Sequence, residues 1–103
     1  MRAFSDDLFN TALELATEWG ENFRKPIHDR IRLKYTDLTD IEIDELTTIA
    51  RRAESRIYEL AEHELDGTLS EFEIVPTAQR EFPWLNAENA GRLKNIGMYY
   101  ARR

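Results

Sequence analysis

Apolar residues recur at helical spacing in three long stretches of this chain. In the first, Leu8, Ala12, Leu15, Trp19 and Phe23 follow one another at three- and four-residue steps, and Phe9, Leu13 and Ala16 widen the stripe. Ser5 followed by Asp6 and Asp7 suits a helix start, with both acids at the positive end of the dipole. Pro26 ends this helix no later than Lys25 and fits the first turn of another. The spacing therefore predicts a helix over 6–25 and a short one over 27–35, with Ile27, Ile31, Leu33 and Tyr35 facing inward. The longest stripe comes next: Leu46, Ile49, Ala50, Ala53, Ile57, Leu60 and Ala61 fall on one face of a helix over 40–66. Both its ends are marked. Thr39-Asp40-Ile41-Glu42 reads as a capping box, Leu38 holds the hydrophobic-staple position, and Gly67 is a left-handed stop. At 1.5 Å per residue such a helix is about 39 Å long.

Beyond Gly67 the pattern is less regular. Ser70 can cap a turn with Glu71 and Glu73 behind it, Pro76 suits the start of a brief helix over 76–82, and Pro83 breaks it. Asn86 then caps a last helix over 87–102, with Ala90, Leu93, Ile96, Gly97 and Tyr100 on one face. Gly91 and Gly97 each cost that helix about 1 kcal/mol relative to alanine. Gly97 lies on the apolar face, where close helix approach would compensate; for Gly91 no reason is visible. Phe72–Val75 is the sole strand candidate, and one edge cannot form a sheet. The expectation is an all-α single domain over 1–103: a compact bundle of three main helices (about 6–25, 40–66 and 87–102), plus short helices near 27–35 and 76–82.

A chain of 103 residues supports one hydrophobic core without staples. It has no cysteine, which excludes disulfides and thiolate metal sites and fits a reducing compartment. The opening Met1-Arg2-Ala3-Phe4-Ser5-Asp6-Asp7 lacks the apolar core of a signal peptide, and no stretch approaches ~18 apolar residues. A cytoplasmic protein that does not span a membrane is expected.

The net charge of −6 attracts basic partners and repels nucleic acid at long range. The charge is also segregated. Residues 22–36 carry five bases and one acid, whereas residues 37–73 carry twelve acids and three bases. Neighbouring helices that neutralise one another would explain this plainly; an acidic docking face is the sharper reading.

Little in the chain suggests catalysis. There is no cysteine, no G-x-S-x-G and no triad pattern around His28 or His63, so no catalytic residue is assigned. The four glycines are isolated, so no phosphate-binding loop and no cofactor are expected. In Glu62-His63-Glu64 neighbouring side chains diverge by about 100° on a helix and do not converge on an ion. Glu59 and His63 form a half-site at i and i+4 that would need a third ligand such as His28. A solvated Glu–His pair is the simpler account, and no metal is assigned.

The polar side of the long helix is more specific. Asp44, Thr48, Arg51, Ser55, Glu59, Glu62 and Asp66 form one stripe whose C-terminal half is acidic, with Tyr58 beside it. Asp44, Tyr58, Glu59, Glu62 and Asp66 are therefore the candidate partner-binding residues, because aromatics anchor and charges steer. The alternative is an ordinary solvated face. Glu64 lies instead on the apolar stripe, where it should sit at the core rim or pair with a base from the next helix. Arg24, Lys25, Arg30, Arg32 and Lys34 are the only patch suited to nucleic acid, and they lie between acidic neighbours; no nucleic-acid partner is expected. Trp84 and Leu85 before the Asn86 cap resemble a staple. Trp84, Arg92 and Tyr99 would make an aromatic interface if they cluster on the surface.

The block Phe82-Pro83-Trp84-Leu85-Asn86…Asn89…Arg92-Leu93…Gly97-Met98-Tyr99-Tyr100-Ala101 resembles one in small uncharacterised bacterial helical proteins, some of them immunity partners of polymorphic toxins. The resemblance covers about 20 residues. It implies a stoichiometric binder rather than an enzyme and assigns a role to no residue. The charge argument independently gives the same expectation: a small acidic non-enzymatic protein-binding domain, of immunity or inhibitor type, that masks a basic protein partner. The alternatives are a homo-oligomeric structural or adaptor module, with the aromatic C-terminus pairing across a dimer, and a metal-binding protein using His28, Glu59 and His63.

Overall fold

A computed structural model describes residues 4–17 and 26–102. The fold is all-α: α1 (Asp6–Thr17), α2 (Ile27–Lys34), α3 (Asp40–Leu65), α4 (Glu71–Glu81) and α5 (Ala87–Ala101), with no strand among the described residues. The part of the first predicted helix beyond Thr17, including Trp19 and Phe23, lies outside the described residues, as do Arg24 and Lys25. The chain divides into two compact units, Met1–Arg51 and Arg52–Arg103.

In the first unit α1 packs against α2. Leu8, Ala12, Ile31, Leu38, Ile43 and Leu46 form its core, with Phe4, Phe9, Leu15, Ile27 and Tyr35 packed around them. Ser5 caps α1 by accepting from the Leu8 N–H at 3.1 Å. Leu33 does not turn inward as its spacing suggested; it is 67% exposed. In so short a helix Ile31 alone is fully buried, and the position two residues on is carried round to the solvent side.

The start of α3 is a closed capping box. The Glu42 N–H donates to the Thr39 hydroxyl at 3.1 Å, and the Thr39 N–H donates to the Glu42 carboxylate at 2.9 Å. Its end is a Schellman motif: Gly67, at φ +86°, donates to the Glu64 carbonyl, and Thr68 donates to that of His63. Along α3, Leu46, Ala50, Ala53, Ile57, Leu60 and Ala61 are buried, as the pattern required, while Ile49 is half-buried.

In the second unit α4 packs against α5. The start of α4 lies five residues before Pro76, and Phe72–Val75 is helix rather than strand. Ser70 supplies the reason, because its hydroxyl accepts from the Phe72 N–H at 3.2 Å and so nucleates the helix there. Pro76 then sits inside α4, which leaves the Phe72 carbonyl without its usual i+4 donor. Phe72 is in the first turn and is exposed, so water can serve that carbonyl. Asn86 caps α5 by accepting from the Asn89 N–H at 2.8 Å.

Candidate functional site

All seven positions of the polar stripe on α3 are exposed: Asp44, Thr48, Arg51, Ser55, Glu59, Glu62 and Asp66. The helix is unbroken from Asp40 to Leu65, and Asp66 follows it in the turn before Gly67. What its carboxylates do differs from place to place.

At the C-terminal end most of the charge is already engaged. Glu59 pairs with Arg56 one turn earlier and lies 3.9 Å from His63 Nε2. The Thr68 hydroxyl donates to Asp66 at 2.7 Å and the Thr68 N–H at 3.0 Å, which holds the Asp66 carboxyl below the usual carboxylate range. His63 Nδ1 is 3.8 Å from the same carboxylate. Glu62 is exposed and has no charged partner among the described residues.

Tyr58 is half-buried rather than presented. Its hydroxyl donates to Glu54 at 3.2 Å, and its ring meets that of Tyr100 edge-on at 6.2 Å. Burial, then the neighbouring Glu54 charge, pushes the phenol well above its ordinary pKa. Tyr58 is thus part of the seam between α3 and α5, where a Cβ on Gly97 would lie 2.9 Å from Tyr58 Cδ1 and 3.2 Å from Ala61 Cβ. The close approach expected at Gly97 is present, whereas Gly91 faces open space.

Arg56 also reaches across to α4: its Nε and Nη2 donate to the two oxygens of Glu81 at 2.9 and 3.1 Å, a bidentate pair. Glu64 is at the core rim and accepts from Arg102 at 2.5 Å, the role its place on the apolar stripe suggested.

The N-terminal half of α3 presents something else. Among the described residues, Ile41, Asp44, Glu45, Thr48 and Ile49 line a shallow, open groove of about 460 Å³. Ile41 is 73% exposed. Asp44 and Glu45 make no ion pair among the described residues, and no base occurs between Lys34 and Arg51. Thr48 donates its hydroxyl to the Asp44 carbonyl at 2.9 Å, which commits its polar atom to the helix itself. Sequence reasoning placed Asp44 here but missed Ile41, Glu45 and Ile49 as a group. A signal existed: at 100° per residue Ile41 lies about 140° from Leu46, an apolar residue on the polar side.

The remaining candidates make contacts of their own. Trp84 meets Phe82 edge-on at 6.1 Å, Tyr99 meets Tyr100 at 5.7 Å, and Arg92 reaches Asn89 at 3.5 Å. Tyr99 is 67% exposed. In the basic patch, Arg30 is buried and donates to the Leu15 carbonyl at 2.8 Å, and Arg32 pairs with Asp40 at the start of α3. His28 is 3.5 Å from that same Asp40. No group of three or more His, Asp or Glu residues that could hold a metal ion occurs among the described residues, and none of their helices is long and apolar enough to cross a membrane.

Comparison with known proteins returns no matching family model, no matching curated protein and no matching solved structure.

Proposed function

We propose that this chain is a non-enzymatic protein-binding domain of inhibitor or immunity type, and that the acidic side of α3 masks a basic surface on another protein. One observation carries the reading: the acidic residues Glu59, Glu62 and Asp66, on and just past the last turns of α3, are all exposed. Exposed carboxylates held on one helix favour fast, steered association with an oppositely charged surface. The resemblance at residues 82–101 agrees with a stoichiometric binder. The absence of cysteine agrees with work in the cytoplasm. Nucleic acid is disfavoured by the net charge of −6 and by the inward or paired placement of Arg30 and Arg32.

The test is differential capture from the native host with the wild-type chain and a Glu59→Lys, Glu62→Lys, Asp66→Lys variant as baits. The reading expects a partner with a basic surface that the wild type holds and the variant loses, with an association rate that falls as salt rises. A partner held equally by both baits, at a rate insensitive to salt, would remove it.

Exposed Tyr99 at the end of the Tyr58–Tyr100–Tyr99 ring series favours a second reading, a homodimer joined through the C-terminal end of α5. Sedimentation equilibrium showing only monomer at high concentration would eliminate it.

A further inference from the structure

We infer that the groove on the first half of α3 is the seat for a basic amphipathic helix of the partner protein, an inference that rests on the protein-binding reading above. Charge decides the occupant's polarity. Of the five acids between Asp37 and Glu45, Asp40 is matched by Arg32 and His28, and Glu42 is committed to its capping box. Asp44 and Glu45 line the groove and have no cation among the described residues. Covering two carboxylates with a neutral or acidic surface would leave them desolvated and uncompensated. Covering them with Lys or Arg replaces the lost water with charge-assisted hydrogen bonds.

Spacing decides the occupant's form. Among the described residues, Ile41 and Ile49 are the apolar lining of the groove and lie two turns apart, about 12 Å along α3 at 1.5 Å per residue. The facing helix should carry two apolar anchors at i and i+7 or i+8, with Lys or Arg beside them, the pattern by which an amphipathic helix lies in a groove. Between the two isoleucines the hydroxyl of Thr48 is turned to the Asp44 carbonyl, so the described lining offers carboxylates as its free polar groups. A largely exposed isoleucine next to two uncompensated carboxylates pairs the ingredients of an interface: an apolar centre and a steering rim.

The test uses the full 15N-labelled chain and three synthetic sixteen-residue peptides constrained as helices. Each has leucine at two positions seven apart; the flanking positions are Lys in one peptide, Gln in the second and Glu in the third. The expected result is binding of the Lys peptide alone, with amide shifts confined to residues 40–50 and an affinity at least tenfold weaker for Ile41→Glu. Because Ile41 is 73% exposed, that variant keeps its core, and an unchanged spectrum outside the groove checks it. Asp44→Asn with Glu45→Gln should weaken the Lys peptide and leave the Gln peptide unaltered. The inference is overturned if no peptide shifts residues 40–50, if the Gln peptide binds as well as the Lys peptide, or if Ile41→Glu changes nothing. Shifts centred on residues 58–66 would overturn this seat and leave the protein-binding reading standing. A native partner lost on reversal of Glu59, Glu62 and Asp66, yet held by Ile41→Glu, would do the same.

Discussion

Gly97 of α5 stands against Tyr58 of α3 at a distance no side chain tolerates: a Cβ placed on it would lie 2.9 Å from the Tyr58 ring at Cδ1. Two effects compete when Gly97 becomes alanine. Helix propensity favours alanine by about 1 kcal/mol. The clash opposes it, because Cδ1 is the inner end of a ring held by Tyr100 and Glu54 and the next neighbour, Ala61 Cβ, is only 3.2 Å away. Overpacking of this kind costs about 1–3 kcal/mol, so Gly97→Ala should lower the urea midpoint. Gly91→Ala meets nothing within 4 Å and should raise it, by up to about 1 kcal/mol. The opposite signs at two glycines of one helix make the pair its own control.

Arg56 ties α3 to α4 through both oxygens of Glu81. Lysine keeps the charge and loses the fork, so Arg56→Lys should be almost as harmful as Arg56→Ala. A double-mutant cycle of Arg56→Ala with Glu81→Gln should give a coupling of about 0.5–1 kcal/mol, the modest figure that partial exposure allows. A coupling of zero would make the bidentate contact incidental.

Tyr58 gives the fold an alkaline weakness. Its phenol pKa is raised in the folded state, by burial first and by Glu54 second. The neutral form is therefore the one the fold prefers. The associated stability is complete below about pH 10, where the unfolded phenol begins to ionise, and is lost as pH rises above that. Absorbance titration of the phenolate band should find Tyr58 ionising late or only on unfolding. Glu54→Gln should bring that ionisation to lower pH, and Tyr58→Phe should abolish the late step.

What could be read from the chain was whatever depends on neighbours in sequence. The Thr39–Glu42 box, the Gly67 stop and the Asn86 cap are contacts within a few residues, and each has the predicted partners. Helical phase carried the next layer, since Glu64 on the apolar stripe meets Arg102 and Gly97 on its own stripe admits close approach. Reading failed where one residue carries two opposed tendencies. Pro76 suggested a helix start, yet Ser70 caps α4 earlier and the proline is carried within it. It failed again where fate depends on a distant atom. Arg30 is buried because the Leu15 carbonyl of α1 receives it, and Tyr58 is half-buried because a glycine on α5 makes room. The exposed carboxylates Glu59 and Asp66 also have local partners: Arg56 for Glu59, Thr68 for Asp66, and His63 within 4 Å of both.

The central claim is that the exposed acidic residues of α3 meet a basic protein. Stopped-flow association with the captured partner, measured from low to high ionic strength, tests it most directly. The account predicts a rate that falls steeply with salt for the wild type, and that is both slower and nearly flat for the Glu59→Lys, Glu62→Lys, Asp66→Lys chain. Equal rates for the two chains, unmoved by salt, would contradict it.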